Sequence, residues 1–556
     1  MTFPTLPKHP SPQFVSQQSR QPSLNSIAPP QSPTQFTPPH TPKLEPDYIY
    51  TPSHTPKSDS LHRSSTTKQS AVNPISLPPR TKIICTIGPK SQSIDVLKKL
   101  IFAGMNVARL NFSHGTHEFH KQTINNIRSV MSETRRICAI MLDTKGPEIR
   151  TGLHVDHGEI NLVKGAMIEF HCNNDKLLGS QQSISIQYPN LCNVIEINSH
   201  ILIDDGLFDF CVHSIDKDKY VIQCEILNSG MLGEQKGVNL PGINVDLPAV
   251  TQKDVSDINF AINENLDFIA ASFIRKRADL LTIRKILGDR GKSIQIISKI
   301  ENQQGLDNFD EILSESDGIM IARGDLGVEI PIENVSIAQK MIIHKCNSAG
   351  KYVITATQML ESMIKNPSPT RAEASDIANA VLDGTDCVML SGETAKGLYP
   401  IESVQIMSDI CKEAETNINY LATFNTIQNY VNGYTVPIVE AIAISAVRAT
   451  FDINASLIIV LTETGHTARL VAKYRPRSPI VTVTSNEQTA RQSLIVRGLF
   501  PLLVSSMVGS ESLTDRVLTA AQRLQMCGVG DKVVVTQGIR EAKSGTTNEM
   551  KIVTIS

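Results

Sequence analysis

Eight apolar, β-branched runs constrain this chain more than any other feature. Each ends in a polar cluster and leads into a helical segment. They are TKIICTIGP (81–89), NVARLNFSHG (106–115), ICAIMLDTKGPEIR (137–150), DFIAASFIR (267–275), IQIISK (294–299), DGIMIARGD (317–325), YVITATQML (352–360) and DCVMLSGET (386–394). Strand–helix alternation makes a parallel sheet. Continuous hydrophobicity marks strands buried on both faces. Eight such units in phase predict a (β/α)8 TIM barrel, an α/β fold whose active site lies where the strands end. The polar ends are Pro89, Arg109 with Asn111 and Ser113, Asp143 with Thr144, Ser272, Lys299 with Glu301, Gly324 with Asp325, Thr357 and Ser391. Within the stretch 294–329 two successive strands end in charge, which makes Lys299, Glu301 and Asp325 the first candidates for a metal–phosphate site.

The alternation is interrupted once. Residues 151–248 carry short alternating apolar runs between turn residues, with ILIDDGLFDFCV (201–212) and KYVIQCEIL (219–227) reading as antiparallel strands. This predicts an all-β lid domain, a β-barrel over 148–248, inserted in a catalytic barrel over 79–147 and 249–418. Two connections to the parent domain make a hinged lid. Beyond 418, LIIVLTETG (457–465), PIVTVTS (479–485), LFPLLVS (499–505) and DKVVVTQG (531–538) alternate with helical segments, predicting a C-terminal open α/β domain over 419–556 for regulation and oligomerisation.

Residues 1–78 are rich in Pro, Ser, Thr and Gln and poor in aliphatic residues, the composition of a disordered N-terminal tail. Ser11, Ser32, Thr37, Thr41, Thr51 and Thr55 each precede a proline. They read either as sites for proline-directed kinases or as a by-product of composition. The lack of acidic residues before Glu45 also suits a targeting segment, but the prolines oppose the amphipathic helix such segments form. A net charge of −2 gives no broad basic face for nucleic acid, and no apolar run approaches the ~20 residues of a membrane span. The ten cysteines show no C-x-x-C pair, which fits a reducing, cytoplasmic location.

With these motifs in place, the chain resembles the pyruvate kinases from about Lys82 to its C-terminus. The resemblance is carried by IICTIGP, GMNVARLNFSHGTHE, LDTKGPEIRTG, KGVNLPG, ISKIEN, IARGDLGVEI, ATQMLESM, the long run from NPSPTRAEASDIANA to SGETAKGLYP, and KYRPRSPIVTVT. It implies phosphoryl transfer from phosphoenolpyruvate to ADP, giving pyruvate and ATP. Glu301 and Asp325 are then the ligands of Mg²⁺ or Mn²⁺. Lys299 and Arg109 face the transferring phosphoryl group, Gly324, Asp325 and Thr357 the rest of that substrate. Thr357 and Ser391 lie on a proton relay. Pro89, Asn111, His114, Arg150, Asp205 and Lys236 contact the nucleotide. Asn111, Ser113, Asp143 and the Thr144 carbonyl form an oxygen cluster with a single negative charge, where the family places K⁺. Glu148 agrees, because K⁺-independent members carry Lys there. Family members are commonly homotetramers. Two other readings stand beside this one. Another Mg²⁺-dependent barrel acting on phosphoenolpyruvate or a 2-oxo acid would work without ADP. A silent scaffold would have lost Lys299, Glu301 or Asp325.

The chain departs from the family pattern at the regulatory sites. Members activated by fructose 1,6-bisphosphate bind a phosphate through a Thr-Lys-Ser-Gly-Arg-Ser run. Here it is Thr462, Glu463, Thr464, Gly465, His466 and Thr467, with a carboxylate where the lysine stood. Leu513 aligns with the usual arginine of the neighbouring helix, although Arg516 is close. Like charge repels phosphate, so weak or absent activation is expected. A large drop in half-saturating phosphoenolpyruvate on adding the sugar bisphosphate would overturn this. The amino-acid effector site keeps Asn106 and Arg136, but its histidine aligns with Leu494.

Overall fold

The computed structural model describes residues 48–49, 77–538 and 545–556. Eight parallel strands close into a barrel: Lys82–Thr86, Met105–Asn111, Ala139–Asp143, Phe268–Ala271, Gln295–Ile300, Gly318–Ala322, Tyr352–Ala356 and Cys387–Leu390. The first pairs with the eighth, Lys82 opposite Cys387. The third pairs with the fourth across the insertion, Met141 opposite Phe268. One alternating set of strand residues, including Ile84, Val107, Met141, Ile297, Met320 and Ile354, fills the interior and continues into Ile458, Val460 and Tyr474 of the C-terminal domain. The other set, including Ile83, Ala108, Leu142, Ile296, Ile319 and Val353, packs against the surrounding helices. Burial on both faces is why these strands read as unbroken apolar runs.

Side chains in the sequence set the helix starts. Ser93 accepts from the Val96 N–H ahead of Ile94–Ala103, and Thr116 from the Phe119 N–H ahead of His117–Thr134. Thr251 with Asp254 and Thr370 with Glu373 form reciprocal capping boxes on Gln252–Asn263 and Arg371–Asp383.

The insertion is a seven-stranded sheet whose outer strands are Ile149–Arg150 and Ser183–Ser185. A single antiparallel bridge, Thr151 to Ile186, joins these edges, so the sheet curls shut into a small barrel. Its ladders are antiparallel except one: Met167–His171 runs parallel to Ser183–Ser185. A two-stranded ribbon, Ile160–Leu162 with Gly230–Leu232, lies beside it.

The C-terminal sheet has six strands. Its four parallel strands, Leu457–Leu461, Ile480–Thr484, Leu499–Leu503 and Lys532–Gly538, are those read from the sequence. Two antiparallel edge strands are additional. Thr547–Thr554 pairs with Lys532–Gly538, and Tyr48–Ile49 pairs with Leu502 and Leu503. The second lies inside the stretch expected to be a disordered tail. The Ser-Pro and Thr-Pro sites lie outside the described residues. No helix among the described residues is long and apolar enough to cross a membrane.

Candidate active site

The fifth strand carries Lys299 to its C-terminal end, where the side chain is buried among acids. Its Nζ lies 2.8 Å from Glu301 Oε1 and 3.2 Å from Asp143 Oδ1, and it donates to Ser272 Oγ at 2.8 Å. Burial opposes its charge, but Asp143 and Glu301 outweigh burial and hold the ammonium protonated well above the ordinary lysine range. Arg109, on the second strand, donates Nε to Asp143 Oδ2 at 2.6 Å and Nη1 to Thr86 Oγ1 at 2.9 Å. Burial works against the Asp143 carboxylate as well, yet Arg109 and Lys299 keep its pKa below the ordinary value.

Glu301 and Asp325 behave differently. Burial pushes Glu301 above the usual carboxylate range; Lys299 pulls it back and Asp325 adds to the push. Burial likewise raises Asp325, against Lys299, and Asp205 of the lid adds to the rise. Two neighbouring buried carboxylates, both raised chiefly by burial, form a set that a divalent cation relieves. No group of three or more His, Cys, Asp or Glu side chains arranged for a metal occurs among the described residues. Two carboxylates, with water and a substrate phosphate, are the usual protein share of a Mg²⁺ site. The donor chemistry therefore fits Mg²⁺ or Mn²⁺ at Glu301 and Asp325.

Asp325 sits in a short helix, Arg323–Glu329, and not in an open turn. The Gly324 N–H donates to Thr357 Oγ1 at 2.7 Å, joining the ends of the sixth and seventh strands. Thr357 and Gln358 have φ of 69° and 53°, a left-handed conformation costly for a β-branched residue. Arg323 props this turn. It donates Nη2 to the Thr357 carbonyl at 2.8 Å and Nε to the Ala356 carbonyl at 3.3 Å, and pairs with Asp376 at 2.7 Å. The sequence reading gave Arg323 no role.

Asn111 lies opposite Asp143 in the barrel ladder, and its Oδ1 accepts from the Ser113 N–H at 3.1 Å. Ser272 Oγ donates to the Thr144 carbonyl at 2.7 Å. Thus Asn111, Ser113, Asp143 and Thr144 do come together. Ser272 ties them to Lys299, a link that its place at a strand end hinted at but did not specify.

A cavity of about 390 Å³ separates barrel and lid. Glu148, Arg150, Asp204, Asp205 and Lys236 line it from the lid side, Asp325 and Glu329 from the barrel. Arg150 pairs with Glu148 at 2.5 Å, and Lys236 with Asp204, the neighbour of Asp205, at 2.9 Å. Asn239 of the lid donates to Glu329 at 2.9 Å, across the cavity's edge. The remaining expected residues make no hydrogen bond or ion pair with the Lys299 cluster among the described residues. Pro89 and His114 are exposed on the loops after the first and second strands. Ser391 is tied to its own turn, its N–H donating to Glu393 at 2.6 Å.

At the regulatory positions, Leu513 is fully buried in the C-terminal core, and Leu494 fills a small apolar cluster with Ile137 and Ala490.

A closed barrel with two buried acids and a buried ammonium at its strand ends, under a lid that brings Arg150 and Lys236 to the cavity, defines a lidded α/β-barrel enzyme. The barrel-domain model of pyruvate kinase matches residues 78–404, and the pyruvate kinase alpha/beta-domain model matches 440–553. A pyruvate kinase of Dictyostelium discoideum is 52% identical over 496 residues, spanning 88% of this chain and 97% of its own. One from Staphylococcus aureus is 49% identical over 473 residues, 85% of this chain and 80% of its own. The crystal structure of a pyruvate kinase from Cryptosporidium parvum superposes with a TM-score of 0.82 at 47% identity, covering 86% of this chain and 96% of that one. The chain belongs to the pyruvate kinase family and is a phosphotransferase.

Proposed function

We propose that this chain transfers the phosphoryl group of phosphoenolpyruvate to ADP, yielding pyruvate and ATP in the last step of glycolysis. The observation that carries this reading is the buried cluster of Lys299, Glu301 and Asp143, with Asp325 raised in pKa beside it. Arg109 and Lys299 face the phosphoryl group, and Gly324 and Thr357 the substrate carboxylate. Pro89, Asn111, His114, Arg150, Asp205 and Lys236 hold the nucleotide. An oxygen of the terminal ADP phosphate attacks phosphorus in line. The bond from phosphorus to the enol oxygen breaks, and its electron pair stays on that oxygen, where the Lys299 ammonium stabilises it. The enolate then takes a proton at its terminal carbon, with the Thr357 and Ser391 hydroxyls on the relay. Closing the lid excludes water while Arg150 and Lys236 approach the phosphates.

Glu301 and Asp325 hold Mg²⁺ or Mn²⁺, which when bound neutralises charge on the phosphoryl oxygens. Asn111, Ser113, Asp143 and the Thr144 carbonyl suit K⁺: the set is all oxygen, and its one carboxylate already shares its charge with Arg109 and Lys299. Glu148→Lys places a fixed cation beside Arg150. The ratio of turnover with K⁺ to turnover in a bulky organic cation is expected to fall to about one in this variant. Equal wild-type rates in the two cations would refute the K⁺ assignment.

A homotetramer is supported by Ile332 and Ile337, which are 78% and 65% exposed on helix Ile332–Ala349, apolar surface that a second copy would cover. Sedimentation at the mass of one chain would exclude it. A cytoplasmic location is supported by ten free cysteines, and cell fractionation tests it. The central test is pyruvate release by the full chain with Mg²⁺, with and without ADP. No ADP-dependent pyruvate would sink the reading.

A further inference from the structure

The turn after the fourth strand, Ser272 to Arg275, touches both chain crossings of the lid and a carboxylate of the expected metal site. The Phe273 N–H donates to Glu301 Oε2. Phe273 has φ of 55°, an uncommon conformation for a bulky residue that its surroundings must hold in place. Arg275 is 5% exposed. Its Nη1 donates to the Val245 carbonyl at 2.7 Å and its Nη2 to the Leu247 carbonyl, both on the return crossing of the lid. The outgoing crossing packs on the same turn: a Cβ at Gly146 would lie 2.8 Å from the Phe273 ring. The Arg275 main chain is fixed independently, its N–H donating to Asp279 at 3.0 Å and its carbonyl accepting from Asn308 at 2.8 Å.

We propose that Arg275 is a positioning residue that clamps the return crossing of the lid to the metal-site turn, so that a divalent cation at Glu301 is felt at Val245–Leu247. This rests on the reading that Glu301 holds the cation. A cation taking a Glu301 oxygen competes with the Phe273 N–H for it. The Phe273 amide and the Arg275 fork belong to one four-residue turn, so a cation that draws Glu301 from the amide acts on the turn that carries the clamp. The planar guanidinium grips two carbonyls of one segment at once and so fixes its register; a lysine ammonium on its flexible stem does not reproduce that fork. The guanidinium is buried, and the Asp246 carboxylate, between the two carbonyls it grips, lies close enough to feel its charge.

The test is amide hydrogen exchange over 236–249 of the full chain, with and without MnCl₂, in wild type, Arg275→Met and Arg275→Lys, alongside steady-state kinetics. In wild type, Mn²⁺ slows exchange at the return crossing. In Arg275→Met that response is lost while Mn²⁺ still binds. The KM for ADP rises roughly ten- to a hundredfold, and the KM for phosphoenolpyruvate changes less than about twofold. Arg275→Lys is intermediate in both readouts, and it carries the test if the Met variant does not fold. A retained Mn²⁺ response in the variants overturns the clamp, as does a parallel rise in both KM values. Mn²⁺ binding to wild type with no response at the return crossing overturns the clamp alone. No Mn²⁺ binding at all overturns the metal reading and the clamp with it.

Discussion

Lys299→Met is expected to lower ADP-dependent pyruvate release by roughly 10³-fold or more. Methionine keeps much of the stem and removes the charge. In phosphoryl transfer the protein contributes position and charge more than covalent chemistry, so losing the ammonium removes stabilisation that exists mainly in the transition state. The effect should therefore fall on kcat more than on the KM for phosphoenolpyruvate. Loss of fold is the competing explanation, because the substitution leaves Glu301 and Asp143 without one of their cations, and breaking a buried ion pair costs about 3–5 kcal/mol. Two features soften that loss: Arg109 still holds Asp143 at 2.6 Å, and the Phe273 N–H still donates to Glu301. Lys299→Arg separates the explanations. It keeps the charge and so leaves Glu301 and Asp143 paired, but its planar head does not place a point charge where the ammonium sits between Ser272 Oγ and Glu301. Both variants should be inactive, with only the Met variant less stable to denaturant. Wild-type turnover in the Met variant would remove Lys299 from the mechanism.

The barrel was legible in the sequence because its strands are buried on both faces. A strand such as Ile83–Ile84–Cys85, with every residue at 0% exposure, leaves a contiguous apolar run whatever surrounds it. The two strands of the C-terminal sheet that the sequence did not disclose have the opposite character. Thr547–Thr554 is an edge strand with most residues partly or fully exposed, and Tyr48–Ile49 is two residues long within a Pro-rich segment. An edge strand is defined by its partner's unpaired backbone, and backbone pairing leaves little trace in side-chain pattern. The site divides along the same line. Lys299, Glu301 and Asp325 announced themselves as charges at the ends of apolar runs. Arg323, Ser272 and Arg275 occupy similar strand-end positions, but their work is to donate to main-chain carbonyls or bridge other site residues. A carbonyl carries no residue identity, so the partner that would reveal such a role is invisible until the chain is folded. Lid geometry was hidden for the same reason: Asn239 and Glu329 are 90 positions apart and ordinary in composition.

The second large effect lies at the opposite end of the barrel and concerns stability. Arg475 is 6% exposed and grips Asp386 with both arms, Nη1 to Oδ1 at 2.8 Å and Nη2 to Oδ2 at 3.1 Å. Asp386 immediately precedes the eighth barrel strand, and Arg475 follows helix His466–Lys473 of the C-terminal domain. The pair thus rivets the barrel's N-terminal face to its neighbour domain, helped by Lys82 Nζ on the Leu499 carbonyl at 2.7 Å. Arg475→Met leaves Asp386 buried with only the Val353 and Arg497 N–H groups, at 3.1 and 3.2 Å, to satisfy it. The expected loss is about 3–5 kcal/mol, read as a fall of roughly 1–2 M in the urea midpoint of the first unfolding transition. Turnover of the folded fraction should be unchanged, because the pair sits a strand's length, roughly 15 Å, from the ends that carry Lys299 and Asp325. Adding Asp386→Asn removes the stranded charge while keeping an acceptor for one of the two N–H groups, so the double variant should regain part of the loss. Stability within about 0.5 kcal/mol of wild type in Arg475→Met would mean that the domains are held by the apolar contact through Tyr474, Ile458 and Tyr352, and that the buried fork only sets their register.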